Sequence, residues 1–149
     1  EALADLRRAL ERPLAPLPRE TGTTLATELE RLSGSPGTPL EVTWPPGVVV
    51  PPDLEPLAQS VLAEAMRNVH KHARASRVTV AVERDGDTFS LEVRNDGLRA
   101  AAGRVPAAGG MGLRLAAFEA LQVGGVVEFG PAGDGVWRMR LVVPVGEAA

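Results

Sequence analysis

Glu64-Ala65-Met66-Arg67-Asn68-Val69-His70-Lys71-His72-Ala73 closes the longest amphipathic stretch of the chain, and the reading of that stretch constrains everything around it. Upstream of it, apolar residues recur at Leu54, Leu57, Ala58 and Val61, then continue at Ala65 and Val69. That spacing is one face of a helix predicted over residues 54–73. Pro51-Pro52-Asp53 is its start signal, with Asp53 a candidate cap. Glu64, Asn68 and Lys71 follow one another by four and three residues. At about 100° of rotation per residue they share an arc of roughly 60° beside the apolar stripe, where a pocket wall would stand. A carboxylate can polarise a hydroxyl or water, an Asn carbonyl can hold a hard cation, and a Lys can meet phosphate. Alone, the trio also has the form of a solvated Glu–Lys pair with an incidental Asn. His70 projects to the solvent side of this helix and His72 to its apolar side, and neither has metal-ligand company.

Downstream, Val78, Val80 and Val82 alternate with polar or small residues, as do Phe89, Leu91 and Val93 beyond Asp85-Gly86. This predicts a hairpin with one buried face, turning at Asp85-Gly86 with positive φ at both turn positions. The second strand ends in Asn95-Asp96-Gly97. An acid there could accept a hydrogen bond from an exocyclic amine, and Gly97 would let a flat base approach the backbone. The same three residues also make an ordinary strand-to-loop turn. Residues 98–108 show no periodicity and read as a mobile loop. Gly109-Gly110-Met111-Gly112-Leu113 then opens a helix running to about Gln122, capped by Gly124-Gly125. Backbone N–H groups at such a start attract anions, although no Lys-Ser/Thr follows the glycines as it would in a P-loop. A glycine-rich loop without a ligand is the competing reading. A last hairpin joins residues 126–129 with 136–143, where Trp137 alternates with Met139 and Leu141 and reads as core.

Towards the N-terminus, a helix is predicted over residues 23–32 and a short strand over 40–44. Before them, a helical stretch over residues 2–11 leads into a stiff connector marked by Pro13, Pro16 and Pro18.

The length of 149 residues suits one domain with a single core, and the scarcity of aromatic residues makes that core aliphatic. The absence of cysteine excludes disulfides, thiolate metal sites and cysteine nucleophiles. A net charge of -3 without a basic block argues against direct nucleic-acid binding. No apolar run approaches the ~20 residues that a membrane span requires.

The order of these motifs resembles the GHKL ATPase superfamily, which includes histidine kinases, type II topoisomerases, mismatch-repair ATPases and heat-shock chaperones. Glu64 to Ala73 looks like the Asn box of sensor kinases that partner helix-turn-helix response regulators. Asn95-Asp96-Gly97 is similar to the first glycine box and Gly110-Met111-Gly112-Leu113 to the second, and the short segment between them is typical of that branch. The resemblance implies an α+β fold of the Bergerat type, a two-layer α/β sandwich whose mixed, mainly antiparallel sheet carries helices on one face. Residues 1–20 would be the end of a dimerisation helix and its linker, and residues 21–149 the ATP-binding catalytic domain.

The resemblance also assigns roles. Glu64 would act as the general base or help to position it, and Asn68 would bind Mg2+. Lys71 would lie near phosphate, Asp96 would read the adenine amine with Gly97 beside the base, and Gly110, Gly112 and Leu113 would flank the nucleotide. The cofactors implied are ATP and Mg2+. The implied partners are the phosphoacceptor and dimerisation helices of the same kinase and a downstream response regulator. The implied location is cytoplasmic, with membrane attachment only through other segments. Three departures stand out. Leu115-Ala116 and Ala117-Phe118-Glu119 replace the usual run after the second box, Leu98-Arg99 replaces a further glycine after the first, and Val136-Trp137 stands where Gly-Thr is common. They leave room for a nucleotide-binding or interaction module without kinase activity, and the shared boxes admit a serine kinase of the anti-sigma-factor type.

Overall fold

The structure, a computed structural model, describes residues 22–37, 39–72, 76–97, 111–133 and 135–146. The expected helix over 2–11, the proline connector, the loop over 98–108, and Gly109 and Gly110 lie outside the described residues, as does the side chain of His72.

Strands β1 (Leu40–Thr43), β2 (Val78–Asp85), β3 (Thr88–Asn95), β4 (Val126–Pro131) and β5 (Trp137–Pro144) form one sheet in the order β1-β2-β3-β5-β4. β1 pairs with β2 in parallel and every other pairing is antiparallel. A parallel pair needs a long crossover. Helix α2 (Glu55–His72), entered through a 3₁₀ turn at Pro52–Leu54, supplies it. Helix α1 (Leu25–Ser33) precedes β1, and α3 (Met111–Gln122) precedes β4.

Alternation in the strands becomes two unlike faces. Val78, Val80, Val82, Phe89, Leu91, Val93, Met139, Leu141 and Val143 are buried in one cluster with Leu57, Ala58, Val61, Ala65 and Val69 of α2, Leu113, Ala116 and Ala120 of α3, and Leu25 and Leu29 of α1. The three helices therefore share one face of the sheet. The other face carries Thr79, Glu92, Arg94, Arg138 and Arg140, with Glu92 within 2.6 Å of Arg94 and 3.9 Å of Arg138. Each fully buried Leu, Val or Phe contributes about 1.5–3 kcal/mol, so the aliphatic core holds the layers together. The expected α+β two-layer sandwich is the observed one.

Local details differ from expectation in instructive ways. The hairpin between β2 and β3 turns at Gly86-Asp87, because Asp85 is still paired with Thr88. Only Gly86 has a positive φ, at 58°. One positive φ at the first turn position excludes the type I′ turn expected from Asp85-Gly86. Asp53 does not cap α2: it sits inside the 3₁₀ turn, which is closed by the Leu54 N–H donating to the Pro51 carbonyl at 2.8 Å. The cap of α1 is Thr24, whose Oγ1 accepts from the Thr27 N–H at 3.1 Å. Helix α2 adds to that cap, since Glu55 accepts the Leu25 N–H at 2.9 Å and Gln59 donates to the Thr23 carbonyl at 3.0 Å. As expected, Gly124-Gly125 ends α3, with the Gly125 N–H returning to the Ala120 carbonyl at 2.8 Å. Among the described residues, no helix is long and apolar enough to cross a membrane.

Candidate functional site

Helix α2 carries the first group. Glu64 is largely enclosed, its side chain 12% exposed, and Oε1 accepts from Nε of Arg67 at 2.7 Å and from the Nη2 of the same guanidinium. Arg67 itself is 63% exposed. The Glu64 carboxylate lies against Gly112, the second residue of α3, where an added Cβ would clash with both of its oxygens. The two motifs that lie furthest apart in sequence are therefore in direct contact. At that contact a carboxylate faces the start of a helix whose first N–H groups have no intrahelical acceptor.

Asn68 lies one turn further along α2, and its Nδ2 is buried without an acceptor. An unpaired buried donor of this kind costs about 1–3 kcal/mol, so this position is unsatisfied as it stands. Lys71 is exposed, and so is His70, which lines the outer groove between α1 and α2 with Met66 and Arg67. Leu113 is buried in the core beneath α3 and anchors that helix. Among the described residues, no cluster of three or more His, Cys, Asp or Glu could hold a metal ion.

At the end of β3, Asp96 carries three hydrogen bonds. Its Oδ1 accepts the N–H groups of Ser76 at 2.8 Å and Arg77 at 3.0 Å, and its Oδ2 accepts the Ser76 hydroxyl. The Ser76 hydroxyl and the Arg77 amide hold its carboxyl below the usual carboxylate value of 3.8, against a smaller upward push from desolvation. It borders a polar cleft with Arg77, Thr79 and Arg94, of which Thr79 and Arg94 belong to the helix-free face. This carboxylate ties the chain leaving α2 to the end of β3. Gly97 takes a positive φ of 75°.

Asn95 continues the inward phase of Leu91 and Val93 and is 4% exposed. It stands opposite Trp137 of β5, which is 8% exposed. The Trp137 indole packs at 6.4 Å from the Phe129 ring, and its Nε1 is buried without an acceptor. Sequence reasoning gave Asn95 no role of its own and read Trp137 as core alone. The signal was present in the period of two, which places Asn95, and not Asp96, on the helix-facing side of β3.

No protein-family model and no curated protein matches the chain. Solved structures do. The blue-light activated histidine kinase EL346 of Erythrobacter litoralis superposes with a TM-score of 0.62 at 20% identity, over 80% of this chain and 39% of that one. The histidine kinase domain of the same protein gives 0.59 at 20% identity, over 80% of this chain and 57% of that one. Histidine kinase AdeS of Acinetobacter baumannii gives 0.56 at 17% identity, over 81% and 60%. The chain thus spans less than two thirds of the solved chains it matches, and it has the fold of histidine kinase catalytic domains.

Proposed function

We propose that this chain is the ATP-binding catalytic domain of a cytoplasmic sensor histidine kinase. In this reading it binds Mg-ATP and transfers the γ-phosphoryl group to a histidine on separate dimerisation helices. The observation that carries the reading is the contact of Glu64 with Gly112, which joins a carboxylate helix to a glycine-opened helix start, with the unsatisfied Asn68 amide one turn away. Phosphoryl transfer asks a protein mainly for position and charge compensation, and these are the parts this end of the molecule offers.

The donor set fits a cation bound largely through phosphate. Mg2+ characteristically takes few protein ligands and keeps phosphate and water oxygens for the rest. Asn68 would hold it through Oδ1, while its unpaired Nδ2 would donate to a phosphate oxygen, and a cation held there would neutralise phosphate charge. The N–H groups opening α3 would receive phosphate oxygens, and Lys71 would meet them from solvent. Glu64 would take the proton from the attacking imidazole nitrogen as the N–P bond forms and the bond to the β-phosphate oxygen breaks. Arg67 holds Oε1 alone, so Oε2 is the oxygen that would accept that proton.

The partner reading is supported by α3. Leu115, Phe118 and Leu121 are exposed large apolar side chains on one flank of this helix. Such a stripe suits the apolar side of another helical pair, as the phosphoacceptor helices would present. A response regulator would act downstream of them.

The test is calorimetric titration of Mg-ATP into the protein, followed by radiolabelled transfer to a supplied dimerisation-helix domain. Saturable binding with acid-labile label on the acceptor is the expected result. Binding without transfer would favour a nucleotide-responsive interaction module, and a folded protein that binds no nucleotide at millimolar concentration would end the reading.

A further inference from the structure

We propose that the groove between α1 and α2 is a docking site for this chain's own connector, Pro13-Leu14-Ala15-Pro16-Leu17-Pro18, seated as a polyproline II strap with Leu14 and Leu17 facing inward. The inference stands apart from the nucleotide reading and does not depend on it.

The groove has a volume of about 490 Å³ and is mostly apolar. Leu32 of α1 lines it together with Pro56, Ala63 and Met66 of α2. Leu32 and Met66 are only partly buried, so their apolar cover is incomplete. Side chains that fill such a groove stabilise the protein by removing this surface from water.

Position singles out the occupant. The first residue described is Gly22, and the carbonyl of Thr23 accepts from the Gln59 side chain at 3.0 Å. Gln59 itself lines the groove, so the connector is tethered at one end of it. Gly22 has a positive φ of 65°, a conformation that glycine adopts freely and that suits a reversal of the chain. From Gln59 the groove runs along α2 as far as His70.

The spacing of the leucines fits that length. Proline-rich sequence favours polyproline II, with three residues per turn and ~3.1 Å per residue. Leu14 and Leu17 then fall on one side of the strap, ~9 Å apart, and Glu20 follows on the same side at the same interval. A helix rises ~1.5 Å per residue, so ~9 Å corresponds to about six residues of α2. A turn over residues 20–23 sets Glu20 level with Gln59. Leu17 then falls level with Met66, and Leu14 close to His70.

A stiff strap has little chain entropy to lose on docking. A tether of about six residues also holds it at an effective concentration of about millimolar, an advantage that no separate partner has. The groove lies on one side of α2, whereas Glu64 and Asn68 lie about a third of a turn round the helix. The docked connector would therefore grip the helix that carries the candidate site.

The chain has no cysteine, so disulfide trapping reports on introduced pairs alone. Leu17→Cys is combined with Ala63→Cys in the groove, or with Glu30→Cys on the exposed surface of α1 outside it. Closure is timed under a mild oxidant in dilute protein, and mass separates links within one molecule from links between two. The Ala63 pair should close at least about tenfold faster than the Glu30 pair, and adding Leu14→Ser should slow it. Without any cysteine, Leu14→Ser with Leu17→Ser should lower the thermal midpoint by about 3 °C or more. Equal rates for the two pairs, closure of neither, or an unchanged midpoint would overturn the inference. Links formed chiefly between molecules would overturn it too, and would give the groove to a second copy of the chain.

Discussion

Glu64 occupies the space that any side chain at position 112 would need: a Cβ on Gly112 would lie inside 3.0 Å of both carboxylate oxygens and of the carbon between them. Position 112 is therefore crowded by its neighbour's carboxylate, and not constrained by its own backbone, since it lies within a regular helix and has no positive φ. Gly112→Ala should push the Glu64 carboxylate aside, and because that group is the far end of a flexible side chain the loss of stability should stay within about 1 kcal/mol. Glu64→Ala removes the obstruction, so the double variant should recover most of that loss. Urea unfolding of the four proteins in this cycle measures the coupling, and simple additivity would show that the contact is not the cause.

Arg67 holds Glu64 from an exposed position. Solvent screens such a pair, and Arg67→Ala should cost less than about 1 kcal/mol. The cost should shrink further in high salt. Unfolding midpoints at low and high ionic strength check this, and a loss of several kcal/mol would mean that the guanidinium has a packing role.

Asp96 should impose an acid dependence on stability. Its folded-state pKa lies below the ordinary 3.8 because Ser76 and Arg77 hydrogen-bond the charged form. Its contribution is therefore fully present above the unfolded value and is lost as pH falls below it, through the lower folded value. Asp96→Asn should be less stable than the unaltered protein at pH 6, and the gap should narrow once pH drops below the ordinary carboxylate value. Thermal midpoints of the two proteins across this range provide the check, and a gap independent of pH would exclude the mechanism.

The stripe on α3 separates docking from binding. The double change Leu115→Gln and Phe118→Gln alters exposed positions, so stability should move by no more than about 0.5 kcal/mol. Nucleotide affinity should hold, while phosphorylation of a supplied acceptor-helix domain falls. An equal loss of nucleotide affinity would place the stripe within the nucleotide site instead.

Much of the architecture was legible because it rests on period. The valines of β2, the Phe89-Leu91-Val93 run and the α2 stripe each faced the core as their spacing required. The Glu64–Gly112 meeting was implied only by family resemblance, since no local rule links residues so far apart in sequence. The bonds from Ser76 and Arg77 to Asp96 were not legible, since they join residues about twenty positions apart, whereas the inward phase of Asn95 followed from the period of two. The error at Asp85-Gly86 was smaller in kind, a shift of one position, because a turn of either type is rich in Asp and Gly. The orphaned donors of Asn68 and Trp137 could not have been foreseen, since satisfaction of a polar group is a property of the packed neighbourhood.

The strand order has a consequence for how the chain is made. β5 is the last of the described strands in sequence, yet it lies between β3 and β4. During synthesis, α1, β1, α2 and the β2–β3 hairpin can assemble as they emerge from the ribosome. β4, by contrast, has no sheet partner until β5 arrives. The unpaired edge of β3 is then left bare until β5 has emerged. For that interval it is the surface most open to pairing with another nascent chain. A stop codon placed just before Trp137 would not trim a rim. It would remove the central splice and leave β4 unable to join the sheet.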